Sequence, residues 1–142
     1  MAKVKVEFKK KPNLKKQVAI INKLNKSDNR VSVGVPIDSL DYPDGTKVVS
    51  VALAHEFGTD NLPELAFIRG TVAAEKKTIK KFWSKEGKGI LLGTSDPDTA
   101  LNKLGLLIAS KIKVTIREIH LIDTGHLRQS VTFVVGKGDE LS

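Results

Sequence analysis

The stretch V51-A-L-A-H-E-F-G-T-D-N-L-P-E-L-A-F-I-R-G70 decides how this chain is organised. Residues 48–57 form a short apolar run, which by length alone fits a buried strand or a helix. A helix is favoured, because Val51, Ala52, His55 and Glu56 then separate onto different faces and Gly58 supplies a C-terminal stop. The segment "TDNLPEL" reads as a loop. From Ala66 to about Lys85 a second helix is expected, with Phe67, Ile68, Val72, Ile79, Phe82 and Trp83 forming one apolar stripe.

Upstream, "KVKVEF" alternates apolar and charged residues, the period of a half-buried strand over 3–8. Pro12-Asn13 ends it and can start a helix over 14–26, where Leu14, Val18, Ile21 and Leu24 recur at helical spacing with lysines opposite. "RVSVGV" at 30–35 alternates again. Pro36, Pro43 and Asp44-Gly45 then mark a mobile surface loop or hairpin tip over 36–47. Downstream, Gly87, Gly89 and Gly93 open a connector. Asp96-Pro97 combines a capping side chain with proline at the first helical position, so a helix runs from there to about Ile119, burying Leu101, Leu104, Leu107, Ile108, Ile112 and Ile116. Residues 131–135 suit a last strand.

These elements make one α+β domain over 1–142. A basic strand–helix–strand opening (1–35) is followed by the loop, a helical core (48–119), and a turn and final strand (121–135). The sheet is expected to be small, mainly antiparallel and of three to four strands, from 3–8, 30–35 and 131–135 with a possible fourth near 46–52. It packs against two long helices plus a short N-terminal helix.

Composition narrows the function. With 40% hydrophobic and 28% charged residues, 142 residues suffice for a real core. The absence of cysteine removes disulfides and thiolate metal ligands. No apolar run is long enough for a membrane span, and the basic N-terminus lacks the apolar core of a secretion signal. Residues 1–30 hold ten Lys/Arg against Glu7 and Asp28, which is the whole net charge of +8. Lys9, Lys10, Lys11, Lys15 and Lys16 form its basic face. That face is either a solvated coat or a contact for an anionic partner, nucleic acid included. Only Phe8 lies nearby to stack on a base, which argues against a dedicated single-strand binder.

The chemical motifs are incomplete. A helical zinc hydrolase needs a second histidine four residues after His55, and position 59 is Thr. A site built from His55, His126 and a carboxylate is the remaining metal reading, against His55 as a hydrogen-bonded turn residue and Glu56 as a surface or interface charge. Asp123-Thr124-Gly125 matches the aspartic-protease triplet, but such enzymes need two aspartates sharing a proton, with a sheet and flap around them. The chain continues only to Ser142. The structural reading makes Asp123 a cap for a turn before the last strand. "EGKGILLGTSD" fits neither phosphate-binding fingerprint. No catalytic residue, cofactor site or metal site is expected.

"VALAHEFGTDNLPELAFIRGTV" followed by "LIDTGHLRQSVTFVV" resembles the neck or tail-completion proteins of tailed bacteriophages, also described as minor tail components. Members show an apolar lead-in to His-Glu-Phe-Gly, a loop with Ile-Pro and Arg-Pro-Phe, a long helix, and a Leu-Ile/Val-Asp-Thr-Gly turn before a strand. The match covers roughly residues 30–135. It departs from the pattern at Leu65-Ala66, where the family has Arg-Pro, and lacks the segment many members insert before the Asp-Thr-Gly turn. The resemblance implies a non-enzymatic virion protein that acts in head–tail joining or tail completion as a subunit of a symmetric ring. Its partners would be neck, connector and tail proteins and further copies of itself, close to channel DNA and away from membranes. It would reside at the neck or head-proximal end of the tail, having assembled in the host cytoplasm. The structural or interface candidates are then His55, Glu56, Phe57, Gly58, Pro63, Phe67, Arg69, Asp123, Thr124, Gly125 and Arg128. The other functional class is a basic, nucleic-acid-associated binding module.

Overall fold

A computed structural model describes residues 13–26, 29–121 and 125–137, and the fold is α+β. The elements in chain order are α1 (Leu14–Lys26), β1 (Asn29–Gly34), α2 (Val48–Phe57), α3 (Phe67–Ala74), α4 (Lys76–Leu92), α5 (Pro97–Glu118), α6 (His126–Ser130) and β2 (Thr132–Lys137). Among the described residues the sheet has two strands, β1 and β2, paired antiparallel with Val31 opposite Val135 and Val33 opposite Phe133. The expected strand over 3–8 lies outside the described residues.

The helix α5 is the spine. Asp96 caps it, its carboxylate accepting from Thr99 N–H at 3.0 Å, with Pro97 at the first helical position. This bond, more than any other contact, holds the Asp96 carboxyl below the usual carboxylate range. Ala100, Leu104, Ala109, Ile112 and Ile116 are buried along it. The strand pair lies across α5 at Gly105. A Cβ there would run into the Phe133 ring and stand 2.9 Å from Val31 Cγ2, so only glycine lets the layers approach this closely. The main core joins Val48, Ala52, Phe67, Ala109, Ile112, Ile116, Leu127 and Val131, drawing on α2, α3, α5, α6 and the residue that leads into β2.

Three expectations are corrected, and one further helix forms as expected with its stripe exposed. Residues 46–52 supply no strand: Val48, Ala52 and Glu56, four apart, are all buried, so the apolar run closes a helical face. The long helix from Ala66 is two helices divided at Glu75, whose carboxylate ion-pairs with Lys111 of α5 at 3.4 Å. Gly87 and Gly89 lie inside α4, which continues to bury Ile90 and stops only at Gly93. Gly93 is left-handed (φ 74°), and Gly93 N–H donates to Ile90 O while Thr94 N–H donates to Gly89 O, the paired bonds of a Schellman ending. Finally, α1 forms as expected but leaves Leu14, Val18 and Ile21 exposed.

Among the described residues no helix is long and apolar enough to cross a membrane.

Candidate functional site

The His-Glu-Phe-Gly segment is the C-terminal turn of α2, and its centre is Glu56. Position 56 follows Val48 and Ala52 on the buried face, which carries the carboxylate inward to 4% exposure. There it meets the N-terminus of α3. Glu56 Oε2 accepts from Ile68 N–H at 2.8 Å, and Oε1 accepts from Arg69 N–H at 2.9 Å. A helix start needs such acceptors, because its first N–H groups have no partner within the helix. The residue in the capping position is Ala66, which has no side-chain oxygen and sits in the left-handed region at φ 44°. Glu56, ten residues upstream, supplies the missing cap, and its negative charge complements the helix dipole.

Arg69 closes the joint from outside. Its Nε donates to Glu56 Oε1 at 2.9 Å, and its Nη2 donates to Glu56 O at 2.8 Å and to Glu64 Oε1 at 2.7 Å. The bonds to Glu56, then Glu64, hold the guanidinium's pKa above its ordinary value. The guanidinium also lies over the Phe57 ring, 4.6 Å from its centroid. Glu56 is therefore a buried structural acceptor, correcting its expected place as a surface or interface charge. Burial is tolerated because the carboxylate is both paired and hydrogen-bonded.

The connecting loop is equally constrained. Gly58 has φ 76° and ψ 169°, and a Cβ on it would meet Glu64 N at 2.9 Å and Leu62 O at 3.1 Å. Only glycine fits. Thr59 and Leu62 exchange backbone hydrogen bonds, and Leu65 N–H returns to His55 O at 2.9 Å. These bonds fold 59–65 into a projection that leaves Pro63, Leu62 and Leu65 exposed. Ala66 at φ 44° also rules out proline, whose ring fixes φ near −65°. The joint is thus built for Leu65-Ala66 and not for an Arg-Pro pair.

His55 lies within α2, not in a turn. It lines a cavity of about 390 Å³ with Tyr42, Asp44, Thr46, Val51, His120, Leu121 and Leu127. His126 stacks on Tyr42 with ring centroids 5.2 Å apart. His55 and His120 thus line one cavity, with His126 against its Tyr42, although no spacing signal in the sequence links the three. Among the described residues no group of three or more His, Asp or Glu is placed to hold a metal ion. Asp44 serves the loop instead: the Thr46 N–H donates to its carboxylate at 2.9 Å and holds its pKa below the usual range.

At the second motif, Gly125 is left-handed (φ 78°) and begins α6, a short helix not anticipated from the sequence. Leu127 of α6 is buried in the core, and Arg128 is exposed. Asp123 and Thr124 lie outside the described residues, as do Lys9, Lys10 and Lys11. Lys15 and Lys16 are exposed on α1. Phe67 is fully buried, a core anchor that fixes the start of α3.

The structure thus brings Glu56, Phe57, Gly58, Phe67 and Arg69 into one joint and leaves Gly125 and Arg128 on a separate element. Residue patterns had missed Glu64, Ala66 and Gly105. Comparison with protein-family models, curated proteins and solved structures gives no match.

Proposed function

We propose that this chain is a structural protein of a tailed-phage particle, acting in head–tail joining or tail completion as a ring subunit at the neck. The observation that carries the reading is the Glu56–Arg69 joint. The most motif-like residues of the sequence are spent on locking two helices around a projecting loop, an arrangement suited to contact and not to turnover. It stands beside the resemblance read from the sequence, which runs from His-Glu-Phe-Gly to the final strand and departs from the family at Leu65-Ala66. The partners are then connector and tail proteins and other copies of the chain, in the virion and, during assembly, in the host cytoplasm.

A second reading, a nucleic-acid-associated module, is favoured by one observation: α1 carries exposed Lys15 and Lys16 and no acidic residue. Affinity for DNA that falls steeply with salt, in the isolated chain, would favour it. The test of the main reading is genetic. A phage lacking this chain should accumulate filled heads and separate tails, and supplying the chain should restore joined particles. Normal particles without it would overturn the reading.

A further inference from the structure

Summed along the sequence, the net charge falls in residues 1–30, and that sum hides α4. The 17 residues of α4 hold Lys76, Lys77, Lys80, Lys81, Lys85 and Lys88 against one acid, Glu86. Folding separates the two signs. All six lysines are exposed. Glu86 is turned inward to 8% exposure, with Lys103 Nζ of α5 standing 3.5 Å from its Oε1. Glu75, at the head of the helix, is taken up by Lys111. Among the described residues Lys76, Lys77, Lys80, Lys81 and Lys85 make no ion pair. Lys77, Lys81 and Lys85 stand four apart in one row, on the side away from Ile79 and Ile90, which lie against α5. The neighbouring helix α1 packs beside α4 and adds exposed Lys15 and Lys16 with no acid of its own.

We propose that the lysine face of α4 is a seat for the phosphate backbone of duplex DNA, bound without regard to sequence. The face carries unpaired positive charge and no exposed acid, which complements a polyanion. Its make-up also selects among polyanions. Lysine is depleted in the cores of protein interfaces, where aromatic residues and arginine anchor the contact, and this face has neither. A helix that lies on a membrane sinks its apolar side into the lipid, whereas the apolar side of α4 is spent on α5. Binding of single strands uses exposed aromatic rings for stacking, but Trp83 sits at the cavity with Leu24 and Leu101, off the lysine row. Point charges on long stems suit the phosphates of a duplex. Lys76 to Lys88 span about 18 Å of helix, and a duplex presents one phosphate per about 1.7 Å of its axis. Several lysines therefore meet phosphates at once. The inference rests on the nucleic-acid reading and deepens it, by moving the contact from the N-terminal lysines to α4; it does not depend on the neck reading.

Fluorescence anisotropy of labelled duplexes, titrated with the full chain, tests the proposal. Two unrelated duplexes of about 20 base pairs should bind with affinities within about twofold of each other, and both affinities should fall steeply with salt. Lys77→Gln, Lys81→Gln and Lys85→Gln together should weaken binding at low salt by about tenfold or more and flatten the slope of log affinity against log salt by about 2 to 3. Thermal melting near that of the parent is the control for folding. The same charge removed elsewhere, by Lys47→Gln, Arg117→Gln and Arg128→Gln at exposed sites, should change affinity by about twofold at most. Equal losses in the two triple variants would reduce the effect to overall charge and overturn the proposal. Full affinity in the α4 variant, lost only when Lys9, Lys10 and Lys11 are replaced, would keep the nucleic-acid reading and overturn this face. A parent chain with no salt-dependent affinity for DNA would remove both. Tighter binding to vesicles of anionic lipid than to duplex, abolished by the α4 substitutions, would make the face a membrane contact and likewise overturn the proposal.

Discussion

Glu56 Oε1 receives both the backbone N–H and the side-chain Nε of Arg69, each at 2.9 Å, so a single carboxylate oxygen ties α2 to the first turn of α3. Removing the whole carboxylate would leave the N–H groups of Ile68 and Arg69 without acceptors at a part-buried helix start. Glu56→Ala should therefore destabilise the fold by about 2–4 kcal/mol. Glu56→Gln, which keeps one acceptor oxygen, should cost about half as much. Urea denaturation monitored by circular dichroism checks both. Equal, small effects would mean that the joint is held by the surrounding packing alone.

The glycines should separate into opposite classes. Gly105→Ala forces a methyl group against Phe133 and Val31 and should cost about 1–3 kcal/mol, as overpacking does. Phe133→Leu in the same chain should recover part of that loss, because the two sites share one contact. Gly87→Ala, in mid-helix with nothing near its added methyl, should stabilise by about 0.5–1 kcal/mol. Thermal melting of the three variants is the measurement.

These contrasts mark where the sequence could be read and where it could not. Asp96-Pro97 announced α5, because capping and the proline position are local chemistry. The alternation of 30–35 and the run at 131–135 likewise announced two strands of a mainly antiparallel sheet. Gly105 gave no sign, since its role depends on Phe133, distant in sequence and brought near only by the fold. Glu56 was misplaced at the surface for the same reason: the N–H groups it satisfies start a different helix. Gly87 and Gly89 misled because glycine weakens a helix by less than the burial of Ile90 maintains it. The stripe on α1 shows a further limit. Periodicity identifies an apolar face but not whether the partner lies in the same chain.

Acid should weaken the fold through its capped carboxylates. Asp96, hydrogen-bonded to Thr99 N–H, has its pKa depressed in the folded state. The folded chain then binds fewer protons than the unfolded chain, so this contribution is complete above the unfolded value of about 4 and is lost as pH falls through the folded value. Asp96→Asn keeps a capping oxygen that does not titrate. Its stability should stay near that of the parent at pH 7 and fall less between pH 5 and about pH 2.5. Denaturant midpoints at those pH values test the sign.

The loop 36–47 should exchange in two regimes. Tyr42 N–H donates to Thr46 O and Gly45 N–H to Tyr42 O, so these amides should be partly protected in the free chain. Ile37 and Leu40, exposed on the same loop, should exchange fast. In assembled particles the whole loop should slow as it meets a neighbour. Hydrogen exchange by mass spectrometry, before and after assembly, would show it. Equal strong protection in both states would remove the loop as a contact.

The central claim is a place in a particle, and an electron-microscopy map of the completed phage tests it most directly. The account predicts a ring of copies between the connector stack and the tail tube. Density for the chain elsewhere in the particle, or none at all in a particle whose head and tail are joined, would contradict it.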